Sequence, residues 1–245
     1  MNQKYIFDVD GTLTPSRQKI NPEFATWFTS FCMENDVYLV TGSDYKKTQE
    51  QLGDRLLRWP IFVYNCSGND VWAKGEHIRG SEWKLPDYVK EFLEYRLNSS
   101  KFILRTGQHF DERPGSVNFS ILGRGATLKE RMLYRKWDLE PKARQRIVED
   151  FARNFGNELE ATIGGETGID IYPIGRNKSQ ILADFGNDNY LHFFGDAMGP
   201  NGNDLPLADA IVERGNGWVY PVKDWQETWK ILKSLVDQNA LSATV

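Results

Sequence analysis

An apolar stretch near the start of the chain, ending in two acidic residues, constrains the fold more than any other feature. Residues 5–14 read Tyr-Ile-Phe-Asp-Val-Asp-Gly-Thr-Leu-Thr. The apolar half predicts a buried strand, and ligands in open α/β sheets bind at the carboxyl ends of the strands. If the chain stays extended, Asp8 and Asp10 point the same way and repel each other, and a divalent cation relieves that repulsion. One such acid could simply form an Asx turn, but the whole string favours a functional site.

The rest of the chain predicts a parallel sheet interrupted by a separate unit. Over the first 80 residues, short apolar strands alternate with amphipathic helices, which is typical of a parallel sheet. From about Ser81 the rhythm changes to an α+β pattern, and it returns to α/β after about Gly175. We therefore expect an α/β fold with a Rossmann-like parallel-sheet core, formed by residues 1–80 and 176–245. An α+β cap is expected to be inserted at residues 81–175.

Periodicity and capping residues bound the expected elements. Helices are predicted at residues 20–35, 45–57, 85–97, 141–155, 178–185, 204–212 and 224–236. After the first strand, further strands are predicted at residues 37–40, 61–64, 101–105, 116–121, 159–163, 168–172, 191–194 and 217–220, with a hairpin at 71–78.

Composition argues against several classes of protein. The 245 residues carry a formal net charge of −4, which gives no reason to expect binding to nucleic acid or an anionic membrane. No apolar run approaches the length of a membrane span, and no signal peptide is expected ahead of the first strand. Cys32 and Cys66 form no disulfide framework, and the 3 histidines lack zinc-ligand spacing. We expect a cytoplasmic protein without nucleic-acid or membrane partners.

Functional groups also follow later strands. Residues 41–43 read Thr-Gly-Ser and end the second predicted strand. Lys178 follows the predicted insertion, and Asp196 ends a later strand. A glycine-rich loop then leads from Asp196 to Asp204. A Gly-Asp pair at the end of a strand, followed by a glycine-rich loop and Asn203-Asp204, is hard to explain by structural needs alone.

Together these groups have the chemistry that phosphoryl transfer requires: an in-line nucleophile, charge neutralisation and a metal. Asp8 is the expected nucleophile, which forms an aspartyl phosphate, and Asp10 is the expected general acid and base. Thr41 and Ser43, with the amides of their loop, are expected to bind phosphoryl oxygens. Lys178 supplies a compact positive charge. The expected cation ligands are Asp8, Asp10, Asp196 and Asp204.

Several of these residues, taken alone, have a structural alternative. Lys178 could be a solvated surface lysine, and Thr41 could be a helix cap. Asp204 could cap the helix that starts at Leu205, and we expect it to do so as well as brace the cation loop.

The four motifs, in this order, resemble those of the haloacid-dehalogenase-like fold with a cap inserted after the third strand. A closer resemblance, covering nearly the whole chain, is to the eukaryotic-type phosphomannomutase family. It is carried by residues 7–14 with 17–20, 42–44 with 49–53, 163–165 and 193–196.

This resemblance implies an enzyme that interconverts mannose 1-phosphate and mannose 6-phosphate, with glucose phosphates open as further substrates. It implies an aspartyl phosphate, a hexose bisphosphate intermediate and a place in GDP-mannose biosynthesis. The implied cofactors are Mg²⁺ and hexose 1,6-bisphosphate as activator. The family often pairs through its cap, so a homodimer is expected.

The resemblance further implies that arginines bind the distal phosphate of the sugar and that an acid contacts the sugar. The matching positions are Arg17 in the core, with Arg113, Arg124, Arg131 and the acid Asp170 in the cap. Gly168 is also assigned to the substrate site, although the family carries a serine there.

Two other functions stay open. A Mg²⁺-dependent sugar phosphatase on the same scaffold is favoured by Thr41, because related sugar phosphatases carry threonine where the family often has glycine. A non-catalytic sugar-phosphate binder is disfavoured, since it needs neither a nucleophile nor a general acid.

Overall fold

The computed structural model describes residues 2–200 and 202–242 and divides into two compact units. The core unit comprises the chain up to Gly80 and from Asn177 onwards, and the inserted unit comprises Ser81–Arg176. No helix in the described ranges is both long and apolar enough to cross a lipid bilayer.

The elements of both units are numbered in chain order, and in the core unit strands largely alternate with helices. The strands, in chain order, are β1 (Asn2–Phe7), β2 (Asp36–Val40), β3 (Phe62–Asn65), β4 (Asp70–Ala73), β5 (Glu76–Gly80), β6 (Phe110–Arg113), β7 (Ser116–Phe119), β8 (Leu159–Gly164), β9 (Gly168–Pro173), β10 (Asn189–Gly195) and β11 (Gly217–Pro221). The α-helices are α1 (Pro22–Glu34), α2 (Tyr45–Leu52), α3 (Asp54–Leu57), α4 (Asp87–Asn98), α5 (Leu128–Asp138), α6 (Ala143–Phe155), α7 (Leu205–Arg214) and α8 (Trp225–Ser242). Short 3₁₀ helices occupy Cys66–Gly68 and Lys178–Asp184.

The core unit is built on a largely parallel sheet. Within the described residues this sheet has seven strands in the order β11-β10-β1-β2-β3-β4-β5. The first five run parallel, and β4 and β5 add an antiparallel hairpin at one edge. Tyr5 and Phe7 of β1 pack with α1 on one face, and Ile6 packs with α7 side chains on the other. Burial on both faces explains why β1 reads as a continuous apolar run, and the predicted parallel α/β core is confirmed.

Capping residues determine where the first two helices begin. Asn21 Oδ1 accepts hydrogen bonds from the amides of Glu23 and Phe24, and α1 starts directly after it. Asp44 Oδ1 accepts from the amide of Lys47 at 2.8 Å and caps α2. The cap at Asp44 fixes the end of the 41–44 loop that leaves β2.

The inserted unit packs helices against one face of an antiparallel sheet. The described strands of this sheet follow the order β6-β7-β9-β8. Phe119 and Ile171 lie on the covered face and share a core with Val89 of α4 and Phe151 of α6. The side chains on the opposite face are polar, and the register places Asp111, Asn118, Asp170 and Thr162 in one row across the strands.

One predicted strand is wrong. Residues 101–105 form no strand, although Phe102 and Leu104 pack against the core of the inserted unit. Arg105 donates to the carbonyls of Phe102 and Leu97, which holds the segment in an irregular conformation. The apolar residues of this segment therefore indicate burial without strand pairing.

Other differences concern helices and one short strand. The predicted helix at 45–57 breaks at Gly53, whose φ of 78° ends α2 before α3. Where an α-helix is predicted at residues 178–185, Lys178–Asp184 forms a 3₁₀ helix. Helix α5 and strand β6 were not predicted, because both are rich in charge; only Tyr134 and Asp138 of α5 are buried.

Candidate active site

Three carboxylates meet at the carboxyl edge of the core sheet. Asp8 directly follows β1, Asp196 directly follows β10, and Asp204 directly precedes α7. β1 and β10 are parallel neighbours in which Phe7 lies opposite Phe194, so the two strands end at the same level. One oxygen from each of the three carboxylates lies within 4.8 Å of the others. The cluster thus joins Asp8, near the start of the chain, to the two acids of a loop near its end.

A buried lysine joins two of these acids. Lys178 is fully buried, and its Nζ donates to Asp8 Oδ1 at 2.5 Å and to Asp204 Oδ1 at 2.6 Å. Burial disfavours the ammonium ion, but the two carboxylates outweigh that cost, and the pKa of Lys178 is raised. Lys178 is therefore a cation locked beside Asp8, and the solvated-surface alternative is wrong.

The donor set suits a hard divalent cation. Asp8 Oδ2 is buried and accepts no hydrogen bond from any described residue. Burial raises the pKa of Asp8 despite Lys178, and the carboxylates of Asp204 and Asp196 add to the shift. Desolvation, with the nearby Asp204 carboxylate, also raises the pKa of Asp196 to about 6. An unsatisfied buried oxygen among crowded carboxylates fits Mg²⁺, which Asp8, Asp196 and Asp204 would hold.

Asp204 braces this loop without capping α7. It occupies the N-cap position, but none of the described amides of α7 donates to its side chain. Its Oδ2 accepts from the amide of Ala197 at 3.0 Å, and its Oδ1 accepts from Lys178. The helix-capping part of the prediction is wrong, because both carboxylate oxygens are already used within the site.

Gly11 permits the turn that brings the first motif against Asp196. Its φ is 83°, a conformation that L side chains rarely adopt. A Cβ at this position would lie 2.4 Å from Asp196 Oδ2. Any other residue here would be strained and would displace the Asp196 carboxylate.

The carboxylate of Asp10 lies outside the three-acid cluster. Its Oδ1 accepts from the amide of Arg17 at 2.5 Å and from Gln51 Nε2 at 2.9 Å, and its Oδ2 accepts from Ser43 Oγ at 3.3 Å. Strand β1 ends at Phe7 and the chain bends at Val9, so it is not extended between the two acids. Asp10 is thus tied to a separate set of donors and is not grouped with the other predicted cation ligands.

The loop after β2 is anchored next to this set. Thr41 is buried, its Oγ1 accepts from the amide of Ser43 at 3.1 Å, and its carbonyl accepts from the amide of Ser67 at 2.8 Å. A Cβ at Gly42 would lie 3.6 Å from Asn203 Nδ2, so the loop runs beside the segment that precedes Asp204. Thr41 therefore shapes its own loop, while Asp44 caps the helix.

Arg17, the arginine of the core unit that is predicted to bind substrate, contacts Asp10 through its main chain. Arg17 has a φ of 59° and an exposed side chain, and its main-chain amide is what reaches Asp10. This left-handed conformation aims the amide at the carboxylate.

Of the three arginines in the inserted unit that are predicted to bind substrate, two meet at one acid. Arg113 Nε donates to Asp111 Oδ2 at 2.8 Å, and Arg124 forms an ion pair with the same oxygen. Arg131 instead donates from Nε to the carbonyl of Ala126 at 3.3 Å. The arginines named by the resemblance are therefore not all in one contact set.

Asp170 and Gly168 lie on the polar face of the same sheet. Asn118 Nδ2 donates to Asp170 Oδ1 at 2.6 Å. A Cβ at Gly168 would lie 2.5 Å from Asn118 Nδ2, so the amide of Asn118 fills the space above the glycine. A serine at position 168 would require Asn118 to move.

Sequence reasoning missed Gln51, Asp111 and Asn118. Gln51 is buried in the α2 stripe formed with Thr48 and Leu52, and a glutamine in a buried stripe is an available signal. Asp111 and Asn118 gave no such signal, because only strand register brings them opposite each other.

Solved structures with similar folds define the general class. A trehalose-6-phosphate phosphatase related protein superposes with a TM-score of 0.61 at 20% identity, covering 98% of this chain and 99% of that chain. A haloacid dehalogenase-like hydrolase from Bacteroides thetaiotaomicron superposes with a TM-score of 0.60 at 11% identity, covering 96% of this chain and all of that one. The chain has the haloacid-dehalogenase-like fold.

Sequence comparison narrows the class. The profile of the family described as eukaryotic phosphomannomutase matches residues 27–238. Human phosphomannomutase 1 is 33% identical over 214 residues, covering 82% of this chain and 81% of the human protein. Phosphomannomutase from Saccharomyces cerevisiae is 32% identical over 244 residues, covering 94% and 92%. This chain belongs to the eukaryotic phosphomannomutase family.

Proposed function

We propose that this protein interconverts mannose 1-phosphate and mannose 6-phosphate through an aspartyl phosphate on Asp8. The observation that carries the proposal is the buried contact of Asp8 with Lys178, next to an unsatisfied Asp8 oxygen and the carboxylates of Asp196 and Asp204. Family membership supports the substrate class.

Each half-reaction transfers one phosphoryl group. A carboxylate oxygen of Asp8 attacks phosphorus, the bond from phosphorus to the sugar oxygen breaks, and Asp10 gives that oxygen a proton. In the return step a sugar hydroxyl attacks the aspartyl phosphate, Asp10 takes its proton, and the Asp8 carboxylate is restored. Lys178 stabilises the charge beside the transferring group, and Thr41 and Ser43 support its oxygens. A Mg²⁺ held by Asp8, Asp196 and Asp204 would neutralise phosphoryl charge.

A mutase also needs a site for the second phosphate. We assign residues 81–175 as a cap on a core of residues 1–80 and 176–245. Arg113, Arg124 and Arg131 of this cap, with Arg17 of the core, are proposed to bind the distal phosphate. Asp170 is proposed to contact the sugar, near Gly168.

The remaining expectations follow from the same proposal. The activator is a hexose 1,6-bisphosphate, the setting is cytoplasmic, and the product enters GDP-mannose biosynthesis. Neither nucleic acid nor a membrane is a partner. Exposed apolar side chains on the cap, including Leu128, Met132 and Leu139, support a homodimer formed through this unit.

One assay separates the mutase from a sugar phosphatase. The enzyme receives mannose 1-phosphate with Mg²⁺ and a trace of glucose 1,6-bisphosphate, and mannose 6-phosphate and free phosphate are followed together. We expect isomerisation with little phosphate release and strong dependence on the bisphosphate. Asp8→Asn, which keeps the side-chain shape, should lower turnover by several orders of magnitude.

Release of free phosphate distinguishes the phosphatase from the mutase. If free phosphate appears in step with substrate loss and the bisphosphate has no effect, the protein is a phosphatase and the mutase proposal is wrong. If Asp8→Asn turned over substrate at a rate near that of the wild type, the assignment of Asp8 as the nucleophile would be refuted.

A further inference from the structure

The polar face of the inserted sheet contains an acid that serves two arginines at once. Asp111 Oδ2 accepts from Arg113 Nε at 2.8 Å and is ion-paired with Arg124. The two arginine side chains are mostly buried, with exposures of 17% for Arg113 and 31% for Arg124. Two guanidinium groups that share one acceptor oxygen are held close together despite their mutual repulsion.

The backbone fixes all three members of this set. Asp111 and Arg113 are two residues apart on β6 and therefore share a face of the sheet. Arg124 follows Gly123, and its amide donates to the carbonyl of Gln108 at 2.8 Å. Gly123 has a φ of 94°, and a Cβ there would lie 1.8 Å from the carbonyl oxygen of Thr106. The loop that carries Arg124 can thus be built only with glycine before it.

The same row of side chains continues towards Asp170. The register places Asp111 opposite Asn118, and Asn118 opposite Asp170. Asn118 donates to Asp170 at 2.6 Å. A cationic end and a hydrogen-bonding end are therefore present on one rigid face, which suits a ligand with a phosphate attached to a polyhydroxyl ring.

We propose that Asp111 is a positioning residue that holds Arg113 and Arg124 as one fork for the distal phosphate of a hexose bisphosphate. This inference rests on the proposed function and names a residue that the resemblance did not. Asp111 Oδ2 accepts from Nε of Arg113 and from Nη2 of Arg124, and this shared acceptor orients the two planar groups relative to each other. Bidentate binding of phosphate depends on such orientation, because two planar groups must meet the same set of oxygens.

The charge of Asp111 makes the test decisive. If Asp111 acted only through its charge, removing it would strengthen binding of a dianion, since a nearby negative charge opposes the ligand. If Asp111 acts by positioning, removing its charge weakens binding, because the arginines lose their common acceptor. The two accounts therefore predict opposite signs.

The experiment measures the dissociation constant of glucose 1,6-bisphosphate by calorimetry for the full-length wild type, Asp111→Asn and Asp111→Glu. We expect Asp111→Asn to weaken binding by about 10- to 100-fold, as for loss of charged hydrogen bonds. Asp111→Glu restores the charged acceptor on a longer arm and should recover much of the loss. The control is Glu166→Gln, which removes the acidic partner of Arg135, 2.8 Å away, and should leave binding unchanged.

Three results would overturn the inference: wild-type affinity in Asp111→Asn, tighter binding in Asp111→Asn, or a loss in Asp111→Glu as large as in Asp111→Asn. Thermal unfolding of each variant identifies loss of fold, and Asp111→Glu keeps the test valid if Asp111→Asn does not fold. Isomerisation of mannose 1-phosphate by the wild type is measured separately. If it is absent while Asp111→Asn still weakens bisphosphate binding, the proposed function fails and the positioning role stands.

Discussion

At the scale of single residues, the site depends on one buried cation among several carboxylates. Lys178 contacts Asp8 and Asp204 at hydrogen-bonding distance, and all three are nearly or fully buried. Such an arrangement is maintained only as a whole, because removing one partner leaves an uncompensated buried charge. We therefore expect Lys178 to be needed for the stability of the site as well as for its proposed chemistry.

Lys178→Met removes the ammonium ion and keeps a long side chain. We expect the free energy of unfolding to fall by about 3–5 kcal/mol at neutral pH in chelator, because two buried carboxylates lose their cation. Urea unfolding followed by circular dichroism measures the change. The matched control is Lys47→Met, since Lys47 pairs with Glu50 at side-chain exposures of 33% and 54%, and a loss of about 1 kcal/mol or less is expected there. Equal stability of Lys178→Met and wild type would contradict the assignment of Lys178 as the compensating charge.

Gln51 deserves a separate test because it connects several parts of the first motif. Its Nε2 donates to Asp10 Oδ1 at 2.9 Å and to Thr14 Oγ1 at 3.1 Å. Gln51→Met keeps the volume and removes the donor, so we expect kcat for mannose 1-phosphate to fall by about 10- to 100-fold. Steady-state kinetics on folded enzyme, quantified by circular dichroism, measure this.

A buried polar residue one turn earlier in α2 provides the control. Thr48 Oγ1 donates to Asn65 Oδ1 at 2.8 Å and does not contact Asp10. Thr48→Val should lower stability but leave kcat per folded molecule unchanged. If Thr48→Val and Gln51→Met reduce kcat equally, the effect of Gln51 is on the helix and not on Asp10.

At the scale of elements, the site follows from which strands are neighbours. β1 lies between β10 and β2, so the residues after all three strands emerge at one edge of the sheet. In the inserted unit, the residues predicted to bind substrate do not follow strand ends. They lie on one face of the sheet and in the loop and helix after β7. In that loop the position of Arg124 depends on a single glycine.

Gly123→Ala tests this dependence. The new Cβ would collide with the Thr106 carbonyl, and the positive φ adds strain. The control is Gly165→Ala, where φ is also positive, at 55°, but nothing lies within 4 Å of the new Cβ. We expect Gly165→Ala to cost roughly 1–2 kcal/mol and Gly123→Ala at least twice as much. Chemical unfolding measures both, and equal losses would show that the loop can relax around the added methyl group.

At the scale of the whole molecule, cation binding should be linked to folding of the core unit. Asp8 lies far along the chain from Asp196 and Asp204, so the unfolded state lacks the site. Mg²⁺ at about 100 times its dissociation constant should raise the free energy of unfolding by about 2.7 kcal/mol, and excess chelator should remove this gain and abolish turnover.

Asp196→Asn separates this effect from general ionic strength. The variant should lose most of the stabilisation by Mg²⁺, because one carboxylate ligand is gone. Asp209→Asn, an exposed acid on α7, should keep it. Full Mg²⁺ stabilisation of Asp196→Asn in thermal unfolding experiments would rule out the proposed cation site.

Patterns in the sequence alone determined the class of fold and the residues at the ends of its strands. The reason is that burial on one or both faces imposes a local period on the chain, as in β1. Periodicity gave the wrong element, or none, where apolar residues are buried without strand pairing and where a helix buries few residues. Residues 101–105 bury apolar side chains without pairing, and α5 buries little, although Thr127 and Glu130 form a capping box that marks its start.

Only the tertiary structure decided which side chains touch. It placed the carboxylate of Asp10 with Gln51, 41 positions away, and it joined Lys178 to Asp8, 170 positions away. It also brought Arg113 and Arg124 to one oxygen of Asp111. These contacts depend on strand order, register and the direction of each turn, and such long-range geometry leaves no periodic trace in the sequence.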